Sequence, residues 1–548
     1  MSSPASRTLT ALAALAVSGC ATTDRDTTTD LPGSDGTVDT AEALVFVDGI
    51  FAEWSASTLL IDDPPDAPAA EVDLGSIHLQ HDDSWLYLAV DFGREVNAQS
   101  LPGSVLFLLD TDPGSGGEVH GMSGVDLMLE LSHVADPEAN ERGQGFALRP
   151  VDESGLRPAT SSYELDVVVA PTWSATRFEM RVSRAGSTDP ALPRIGGRLR
   201  IGAVYVERGA ILDRTTVAEY DATASPSTSA EARRDVPDPR PRSAEERLAR
   251  PTGTTRVAQM NVSGQSFDRR MDDFARAFAA VDPDILLLDE LSGDIEESAL
   301  RDFFDLPPLK ALGTWSFVLG ASGGRQRAAV ATRTGRVRAA EAVRDVRYAP
   351  GAIDDLKRSA PEAFRPALDR EESGGLSAVA GWVSLGGREV LFAAVDLQSQ
   401  GWIDSAFDRL RTLQAETLRD HILREVEGHD GGSVPPIVIG GDLNMVGSRA
   451  PLQALSIGLP AAGEVLEALR TERLGDRTLS TWRNPGAPFA PGRLDFILVS
   501  PSSIEAQNVF VFATNDHSAD VLQRLGLERD LSLQLSDHLI VVADLRLR

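Results

Sequence analysis

Carboxylate, amide and imidazole side chains stand at the ends of apolar segments in the C-terminal part of this 548-residue chain. These residues are Asn261, Glu290, Asp442, Asn444, Asp495, Asp537 and His538. Carboxylate and amide oxygens are hard donors, which suit Mg²⁺ or Mn²⁺ better than zinc. A histidine beside them can act as a general acid or base, or can contact a phosphate. The residue types therefore predict a divalent-metal site with an acid–base group next to it.

The segments that would position these residues are typical of a mixed α/β fold. TRVAQMNV, DILLLDEL, VLFAAVDL and PPIVIGGDL are largely apolar runs, which indicate sheets that are covered on both faces. Apolar residues near a 3.6-residue period predict helices over residues 267–281 and 405–426. An aspartate after an apolar strand is more often a turn former or a helix cap than a ligand. The recurrence of such residues at several strand ends nevertheless favours one shared cleft.

The motif order NV, DILLLDEL, GGDLN, RLDFILVS and SDHLIV resembles the endonuclease/exonuclease/phosphatase superfamily. That superfamily includes the DNase-I-like nucleases, abasic-site endonucleases, sphingomyelinases and inositol-polyphosphate phosphatases. The resemblance covers residues 254–548. It implies that residues 251–548 form a DNase-I-like, four-layer α/β sandwich with two mixed sheets packed face to face. It also implies hydrolysis of a phosphodiester or phosphomonoester bond with Mg²⁺ or Mn²⁺ as cofactor.

The resemblance implies that three of these residues bind or lie near the metal ion. Glu290 would be the principal metal ligand, with Asn261 and Asp537 near the ion. Mg²⁺ typically takes one or two protein carboxylates and leaves positions for substrate and water, which agrees with this small set.

The resemblance assigns the catalytic steps to the other residues. Asp442 would orient or deprotonate the attacking water, and Asn444 would contact the scissile phosphate. His538 would bind or protonate the phosphoryl group, while Asp495 would hold its imidazole in the right tautomer. Pairing with an aspartate should also raise the pKa of this histidine toward its charged, phosphate-binding form.

The segment VDLQSQG departs from the pattern of the superfamily, in which HLKSKG-like sequences are frequent at this place. Asp396, Gln398 and Gln400 stand where a histidine and two lysines are expected. Losing a transition-state contact of this type costs about 10²- to 10³-fold in rate. Two hypotheses follow, an active hydrolase and a weakened or inactive site.

Several residues are candidates to compensate for the lost positive charge at the substrate phosphate. Asp396 would recruit a second cation, or Arg409 or Arg411 on the following helix would reach the phosphate. Gln398 belongs to the same candidate phosphate site. Trp482, in STWRNPG, is expected either to line the substrate cleft or to pack in the core.

The N-terminus predicts export and lipid anchoring. Arg7 precedes an apolar run, residues 9–17, that is too short to span a bilayer and matches the apolar part of a signal peptide. The sequence AVSGC that follows resembles a bacterial lipobox, in which Cys20 would be lipidated. Residues 1–20 are therefore predicted to be a lipoprotein signal peptide, and residues 21–42 a flexible tether. The expected location is the cell envelope, with the membrane as a partner through the lipid anchor.

Residues 43–222 predict an all-β sandwich, followed by a linker over residues 223–250. Short alternating runs such as SWLYLAVDF, SVLFLLD, VDLMLEL, YELDVVVA and RFEMRVS are bounded by Gly, Pro, Asp or Ser. VDGIFAEW, LLDTDPGSGG and GVDLMLEL resemble a family-nine-like carbohydrate-binding, or DOMON-like, module, which makes a glycan a candidate partner.

The same resemblance suggests a structural Ca²⁺ held by Asp110, Asp112 and Asp126, against the alternative of a solvated turn. Three tryptophans of this segment would stack on sugar rings or, as we favour, pack in the core; they are Trp54, Trp85 and Trp173.

The charge limits the choice of substrate. The chain has 82 acidic and 52 basic residues, a formal net charge of −30, whereas tight nonspecific binding to nucleic acid needs lysine and arginine. We therefore predict a metal-dependent phosphoesterase that acts on a phosphate ester of unspecified identity. The alternative is an inactive surface binding protein whose main role is carbohydrate binding by the N-terminal module.

Overall fold

The computed structural model describes residues 45–112, 115–134, 142–223, 244–429, 434–459, 465–475 and 477–548. Cys20 and the predicted signal peptide and tether lie outside these residues, as does most of the predicted linker. Within the described ranges, no helix has both the length and the apolar character needed to cross a membrane. We call residues 45–223 the N-terminal β region and residues 244–548 the C-terminal α/β region.

The N-terminal β region is rich in strands, as the alternating apolar runs predict. Its strands are β1 (Leu59–Ile61), β2 (Ile77–His81), β3 (Trp85–Val96), β4 (Ser104–Asp110), β5 (Gly117–Val119), β6 (Met122–Val125), β7 (Leu127–Leu131), β8 (Phe146–Asp152), β9 (Gly155–Leu156), β10 (Thr160–Ser161), β11 (Val168–Ala170), β12 (Ala175–Ser183), β13 (Arg198–Glu207), β14 (Ala210–Arg214) and β15 (Ala218–Asp221).

These strands form two larger antiparallel sheets that contribute to one core. One sheet has the order β1-β2-β3-β12-β11, and the other follows β10-β8-β7-β4-β13-β14, with β15 on β13 and β9 on β8. Leu88 and Phe178 from the first sheet belong to the same apolar cluster as Phe107 and Leu129 from the second. Burial of this alternating apolar face is what holds the region together.

One of the predicted strands is wrong in part. YELDVVVA begins with a 3₁₀ helix, Ser162–Leu165, and only Val168–Ala170 is a strand. Asp166 ends the helix in a left-handed conformation, with φ of 43°, which aspartate tolerates better than most residues. Apolar alternation alone does not reveal such a turn.

The C-terminal α/β region mixes strands and helices. Its strands are β16 (Thr255–Asn261), β17 (Ile285–Ser292), β18 (Ser316–Leu319), β19 (Gln326–Thr332), β20 (Val337–Ala339), β21 (Ala378–Leu385), β22 (Arg388–Asp396), β23 (Ile437–Asp442), β24 (Glu467–Ala468), β25 (Glu472–Arg473), β26 (Asp495–Val499), β27 (Ile504–Phe512) and β28 (Ile540–Leu547). Its helices are α1 (Ala244–Leu248), α2 (Gly264–Arg269), α3 (Met271–Val281), α4 (Glu297–Phe304), α5 (Pro307–Lys310), α6 (Ala352–Ser359), α7 (Arg365–Gly374), α8 (Ala406–Glu427), α9 (Ala450–Ser456), α10 (Ala519–Leu525) and α11 (Leu531–Leu535).

Two mixed sheets pack face to face in this region. Their orders are β18-β19-β17-β16-β28-β27-β25 and β20-β21-β22-β23-β26-β24, with parallel pairs at β16–β17, β22–β23 and β25–β27. Leu287 of one sheet and Phe392 of the other share a buried cluster between the sheets. Helices cover the outer faces, through Phe274 of α3 on one side and Leu418 of α8 on the other. This is the layered arrangement with mixed sheets that the motif order implies.

The two predicted helices differ in outcome. Residues 405–426 are confirmed as α8, which begins after Ser405, whose side chain accepts a hydrogen bond from the Asp408 backbone N–H. Residues 267–281 form two helices instead of one. Arg270 departs from helical geometry between α2 and α3, with φ of −130°, while Phe267 and Phe274 pack in the same core on either side of it.

The predicted linker, residues 223–250, ends too late in the sequence. Its last part contains α1, and Arg247 of this helix pairs with Glu472 and donates to the Val509 carbonyl oxygen. Asn508 in turn donates to the Arg247 carbonyl oxygen. These contacts fix α1 against β25 and β27, which a charge-rich sequence does not indicate.

Candidate active site

Strand register brings three aspartates into one row at one end of the neighbouring strands β22, β23 and β26. Asp396 ends β22 and pairs with Asp442, which ends β23, and Asp442 pairs with Asp495 at the start of β26. Side chains of paired residues on neighbouring strands point to the same face. The pattern therefore places side by side three carboxylates that are far apart in sequence.

The two glycines before Asp442 allow this row to form. A Cβ atom on Gly440 would lie 2.6 Å from the Leu287 Cδ1 atom of the facing sheet. A Cβ atom on Gly441 would lie 1.8 Å from the Val395 carbonyl oxygen of the neighbouring strand. The sequence GGD is thus required by close packing on two sides of β23.

An irregularity in β17 aims Glu290 away from the regular strand. The pairing of β17 with β19 shifts between Leu288 and Leu291, and Glu290 between them has φ of +57°. A left-handed residue other than glycine costs about 1–2 kcal/mol, and such strain concentrates at functional sites. The Glu290 Oε1 atom accepts a hydrogen bond from the Gln326 side-chain amide.

His538 lies between two carboxylates. Its Nδ1 atom is 2.9 Å from the Asp495 Oδ2 atom, and its Nε2 atom is 3.5 Å from the Asp442 Oδ2 atom. Asn261 and Asn444 donate to that same Asp442 oxygen at 3.1 and 2.9 Å. Five of the seven predicted residues therefore form one continuous polar network at the ends of four strands.

This network changes the charge of its members. Burial favours the neutral imidazole, but the carboxylates of Asp495 and Asp442 outweigh it and raise the pKa of His538 well above its usual value. Burial raises the pKa of Asp442 to about 7, although the charged His538 opposes the shift. The histidine is thus a cation that is held beside a carboxyl group able to exchange a proton near neutral pH.

Glu290 and Asp396 complete the acidic side of the cleft. Both side chains are partly accessible to solvent yet closely surrounded by protein, as expected for groups at the bottom of a recess. Desolvation raises the pKa of each carboxyl, and the charges of Glu290 and Asp442 raise the pKa of Asp396 further. A divalent cation placed among these groups would relieve that mutual repulsion.

Asp537 is held by two neighbours of the loop after β25. The Trp482 indole Nε1 atom donates to its Oδ2 atom at 3.0 Å, and the Asn484 side-chain amide donates to the same oxygen at 3.2 Å. Trp482 is half-buried and bonds to one of the predicted site residues, and its contact with substrate stays a prediction. Asn484 has no sequence signal beyond its proximity to Trp482.

Two further polar residues lie beneath the network. The Gln259 side-chain amide donates at 3.1 Å both to the Asp495 Oδ1 atom and to the Asp289 Oδ1 atom. Burial and the nearby Asp495 and Asp442 raise the pKa of Asp289 well above its usual value. Sequence reasoning missed both residues, although a polar residue within an apolar strand, as in TRVAQMN and ILLLDE, is itself a signal.

The basic residues proposed to reach the phosphate behave differently. Arg411 is fully buried, and its guanidinium donates to the carbonyl oxygens of Gln398 and Gln400 and pairs with Asp408. The hypothesis that Arg411 contacts the phosphate is therefore wrong: this side chain fixes the loop after β22 instead. Arg409 is exposed on α8, so it stays a candidate.

The site's donor set fits a hard divalent cation. Within the part of the chain that the structure describes, the ligand atoms of Asp442, Asp495 and His538 all lie within 4.8 Å of one another. Asp495 and His538 already bond to each other, and the Asn261 oxygen accepts from the Ser263 backbone N–H, so Glu290 is the carboxylate nearest solvent among these residues. A second acidic group of this kind, Asp63 with Asp66 and Asp213, lies in the N-terminal β region.

The aspartates suggested for Ca²⁺ have other partners. Asp126 accepts hydrogen bonds from the backbone N–H groups of Thr111 and Asp112 and from the Thr111 hydroxyl. Asp110 pairs with Arg200 at 3.1 Å. Asp110 and Asp126 are buried, so the alternative of a solvated turn is wrong for these two residues, and Ca²⁺ binding stays a prediction.

The three tryptophans of the N-terminal β region contact protein groups. Trp54 is buried, and its Nε1 atom donates to Glu179. The Arg181 guanidinium lies 3.8 Å from the centre of the Trp85 ring, and Trp173 packs near Phe496 of β26. These contacts agree with packing in the core or between regions.

Comparison with protein families decides the classification. The model of the endonuclease/exonuclease/phosphatase family matches residues 258–538, just over half of the chain. The chain belongs to the endonuclease/exonuclease/phosphatase family. Membership supports a hydrolase of the phosphodiesterase or phosphatase type, in a family that generally depends on divalent metals.

Several solved structures are similar to this chain at low sequence identity. The human Nocturnin catalytic domain with bound sulfate is 17% identical, with 55% of this chain and 98% of that chain covered and a TM-score of 0.35. A family member from Bacteroides vulgatus is 16% identical, with 54% and 99% covered and a TM-score of 0.34. Humanised TDP2 of D. rerio is 13% identical, with 54% and 100% covered and a TM-score of 0.32. No curated protein matches the chain.

Proposed function

We propose that the C-terminal α/β region is a Mg²⁺- or Mn²⁺-dependent phosphoesterase that cleaves a phosphodiester or phosphomonoester bond. The observation that carries this proposal is the network of Asp495, His538, Asp442 and Asn444 beside Glu290. It combines a buried cation, a carboxyl group that titrates near neutrality and an amide at one cleft. These are the groups that phosphoryl transfer needs, since its catalysis depends on positioning and charge neutralisation.

Each residue has a role that follows from its contacts. Asp442, with its pKa near 7, accepts a proton from the attacking water. His538, held charged by Asp495, neutralises a phosphoryl oxygen, and Asn444, whose amide donates to Asp442 and to the Leu397 carbonyl oxygen, is held beside the same phosphate position. Glu290 and Asn261, with Asp537 near them, would hold the metal ion, which supplies Lewis-acid polarisation of the phosphate when bound.

Asp396 sets this chain apart from relatives with a histidine at this place. A carboxylate here adds negative charge to the cleft, where it faces Glu290 and Asp442. We therefore propose that the enzyme needs cations for substrate binding more strongly than a site with a histidine would, because like charges repel the phosphate.

We also propose export and attachment through a lipid on Cys20, and a carbohydrate-binding-like β-sandwich fold for the N-terminal β region. The apolar run before Cys20 supports the first proposal. Partition of the wild type and a Cys20→Ser variant between membrane and soluble fractions tests it. Equal release of both proteins into the soluble fraction would contradict anchoring.

Hydrolysis assays test the proposed activity. The purified protein is assayed with Mg²⁺ on bis-(p-nitrophenyl) phosphate, p-nitrophenyl phosphate, DNA, RNA and phospholipid headgroups, beside a His538→Ala variant. We expect hydrolysis of at least one substrate by the wild type only. Equal rates for the two proteins would overturn the proposal, and the substrate that is turned over identifies the class.

A further inference from the structure

The N-terminal β region contacts the loops that carry the candidate active site. Two of these loops follow the neighbouring strands β22 and β23. Loop A, residues 397–405, comes directly after Asp396 of β22. Loop B, residues 443–449, comes directly after β23 and contains Asn444. Within the C-terminal α/β region, the Asn444 side-chain amide donates to the Leu397 carbonyl oxygen at 2.8 Å. The geometry of Asn444 therefore depends on how the two loops lie against each other.

A single side chain of the N-terminal β region links these two loops. Asn97 follows directly after β3 and is 4% exposed. Its Oδ1 atom accepts a hydrogen bond of 2.7 Å from the Ile403 backbone N–H in loop A. Its Nδ2 atom donates to the carbonyl oxygens of Val446 and Gly447 in loop B, at 2.9 and 3.1 Å. The amide is thus engaged on both sides, and all three partners belong to the other region.

Neighbouring contacts reinforce the same two loops. The Ser174 backbone N–H donates to the Gly447 carbonyl oxygen at 2.7 Å. The Arg142 guanidinium lies 4.7 Å from the centre of the Trp402 ring in loop A. A Cβ atom on Gly447 would lie 2.0 Å from an Asp408 carboxylate oxygen, so loop B is confined between α8 and the N-terminal β region.

The backbone of both loops needs such support. Asn444, Gln400 and Asp404 have φ angles of 48°, 68° and 64°, in the left-handed region that residues other than glycine rarely adopt. Each costs about 1–2 kcal/mol unless neighbouring contacts hold it. Asp408 and Arg411 of α8 hold the loops from one side, and Asn97 holds them from the other.

We propose that Asn97 is a positioning residue for catalysis, through which the N-terminal β region completes the active site of the C-terminal α/β region. This inference rests on the proposed phosphoesterase function. Asn97 sets the distance between loops A and B, and thereby places Asn444 against the scissile phosphate. The N-terminal β region is then a structural part of the enzyme in addition to any binding role of its own.

An Asn97→Ala variant of the full chain, with Gln99→Ala as matched control, tests this proposal. Gln99 makes the same kind of cross-region bond, since its Oε1 atom accepts from the Ala490 backbone N–H at 2.9 Å, but Ala490 lies in neither loop. We expect Asn97→Ala to lower kcat about 10- to 100-fold with little change in KM, because misplacement of a catalytic group by about 1 Å has effects of that size. Gln99→Ala should keep kcat within about twofold of the wild type and lose less thermal stability than Asn97→Ala, because one hydrogen bond is removed instead of three.

Two outcomes would overturn the proposal. One is an Asn97→Ala variant that is folded and keeps the wild-type kcat. The other is a loss of kcat in Gln99→Ala equal to that in Asn97→Ala, since loosening of the whole interface would then explain both. If the wild type shows no hydrolysis, the proposed function fails together with the catalytic role of Asn97, and hydrogen–deuterium exchange then tests separately the positioning of loops A and B by Asn97. Faster exchange confined to loops A and B in Asn97→Ala supports it, and unchanged exchange there contradicts it.

Discussion

The two regions of this protein bury carboxylates in different ways. In the N-terminal β region, Glu179 accepts from the Asp48 and Gly49 backbone N–H groups and from the Trp54 indole, all neutral donors. In the C-terminal α/β region, Asp442 and Asp495 face an imidazole from opposite sides. The first arrangement satisfies an acid with neutral donors, whereas the second brings acids together around a cation.

The pKa values show the consequence of this difference. Burial raises the pKa of Glu179 to about 8, because the neutral donors only partly offset desolvation. In the other cluster the pKa of His538 is raised by its carboxylates, which keeps a buried positive charge in the cleft. Concentrating like charges costs folding stability, so an arrangement of this kind indicates function more than structure.

The largest expected effect on kcat comes from replacing an aspartate of the C-terminal α/β region. The matched replacement in the N-terminal β region serves as its control. Asp442→Asn should lower kcat by about 10³-fold or more, because it removes the proton acceptor and the partner of His538 while keeping the shape of the side chain. Asp126→Asn should leave kcat unchanged and lower the free energy of unfolding by about 1 kcal/mol, since the Asp126 side chain bonds to Thr111 and Asp112 within the N-terminal β region. Steady-state rates and thermal melts of both variants check this. Similar rate losses in the two variants would remove the distinction between the regions.

A smaller effect is expected from Gln259, which supports Asp495 from below. Gln259→Leu should reduce kcat about 10-fold. Without the amide donor, the negative charge of Asp495 is less offset and attracts the imidazolium more strongly, so the pKa of His538 rises further. The alkaline limb of the pH–rate profile should therefore move to higher pH. A full pH–rate profile of wild type and variant measures this shift, and superimposable profiles would show that Gln259 has no positioning role.

The effect that is smallest on kcat concerns the stability of the N-terminal β region. A carboxyl with a raised folded pKa favours folding most below its unfolded pKa, and this contribution is lost as the pH rises through the folded value. For Glu179 the window runs from 4.5 to about 8, with a slope of at most about 1.4 kcal/mol per pH unit. Denaturant melts across this window should show wild-type stability falling relative to Glu179→Gln. A constant difference between the two proteins would contradict the raised pKa.

The apolar runs and the resemblance to the family predicted the mixed-sheet fold of the C-terminal α/β region, because both depend on local sequence features, while the roles of the site residues stay predictions. The sequence could not predict Gln326, which reaches Glu290 only because β17 and β19 pair with a shifted register. It also assigned Arg411 to the phosphate, since a charged helix residue gives no sign that neighbouring loops will enclose it. Asn97 was missed because its hydrogen-bond partners lie more than 300 residues away in sequence, where no local pattern indicates them.

Metal binding tests the central claim most directly, namely that distant carboxylates gather around one divalent ion. Calorimetric titration of the purified protein with Mn²⁺ and Mg²⁺ should show saturable binding. Glu290→Gln should weaken it at least about 10-fold with the fold retained, because one charged ligand is lost. Asp126→Asn should bind as the wild type does. Absence of binding to the wild type, or equal affinity in Glu290→Gln, would contradict the account.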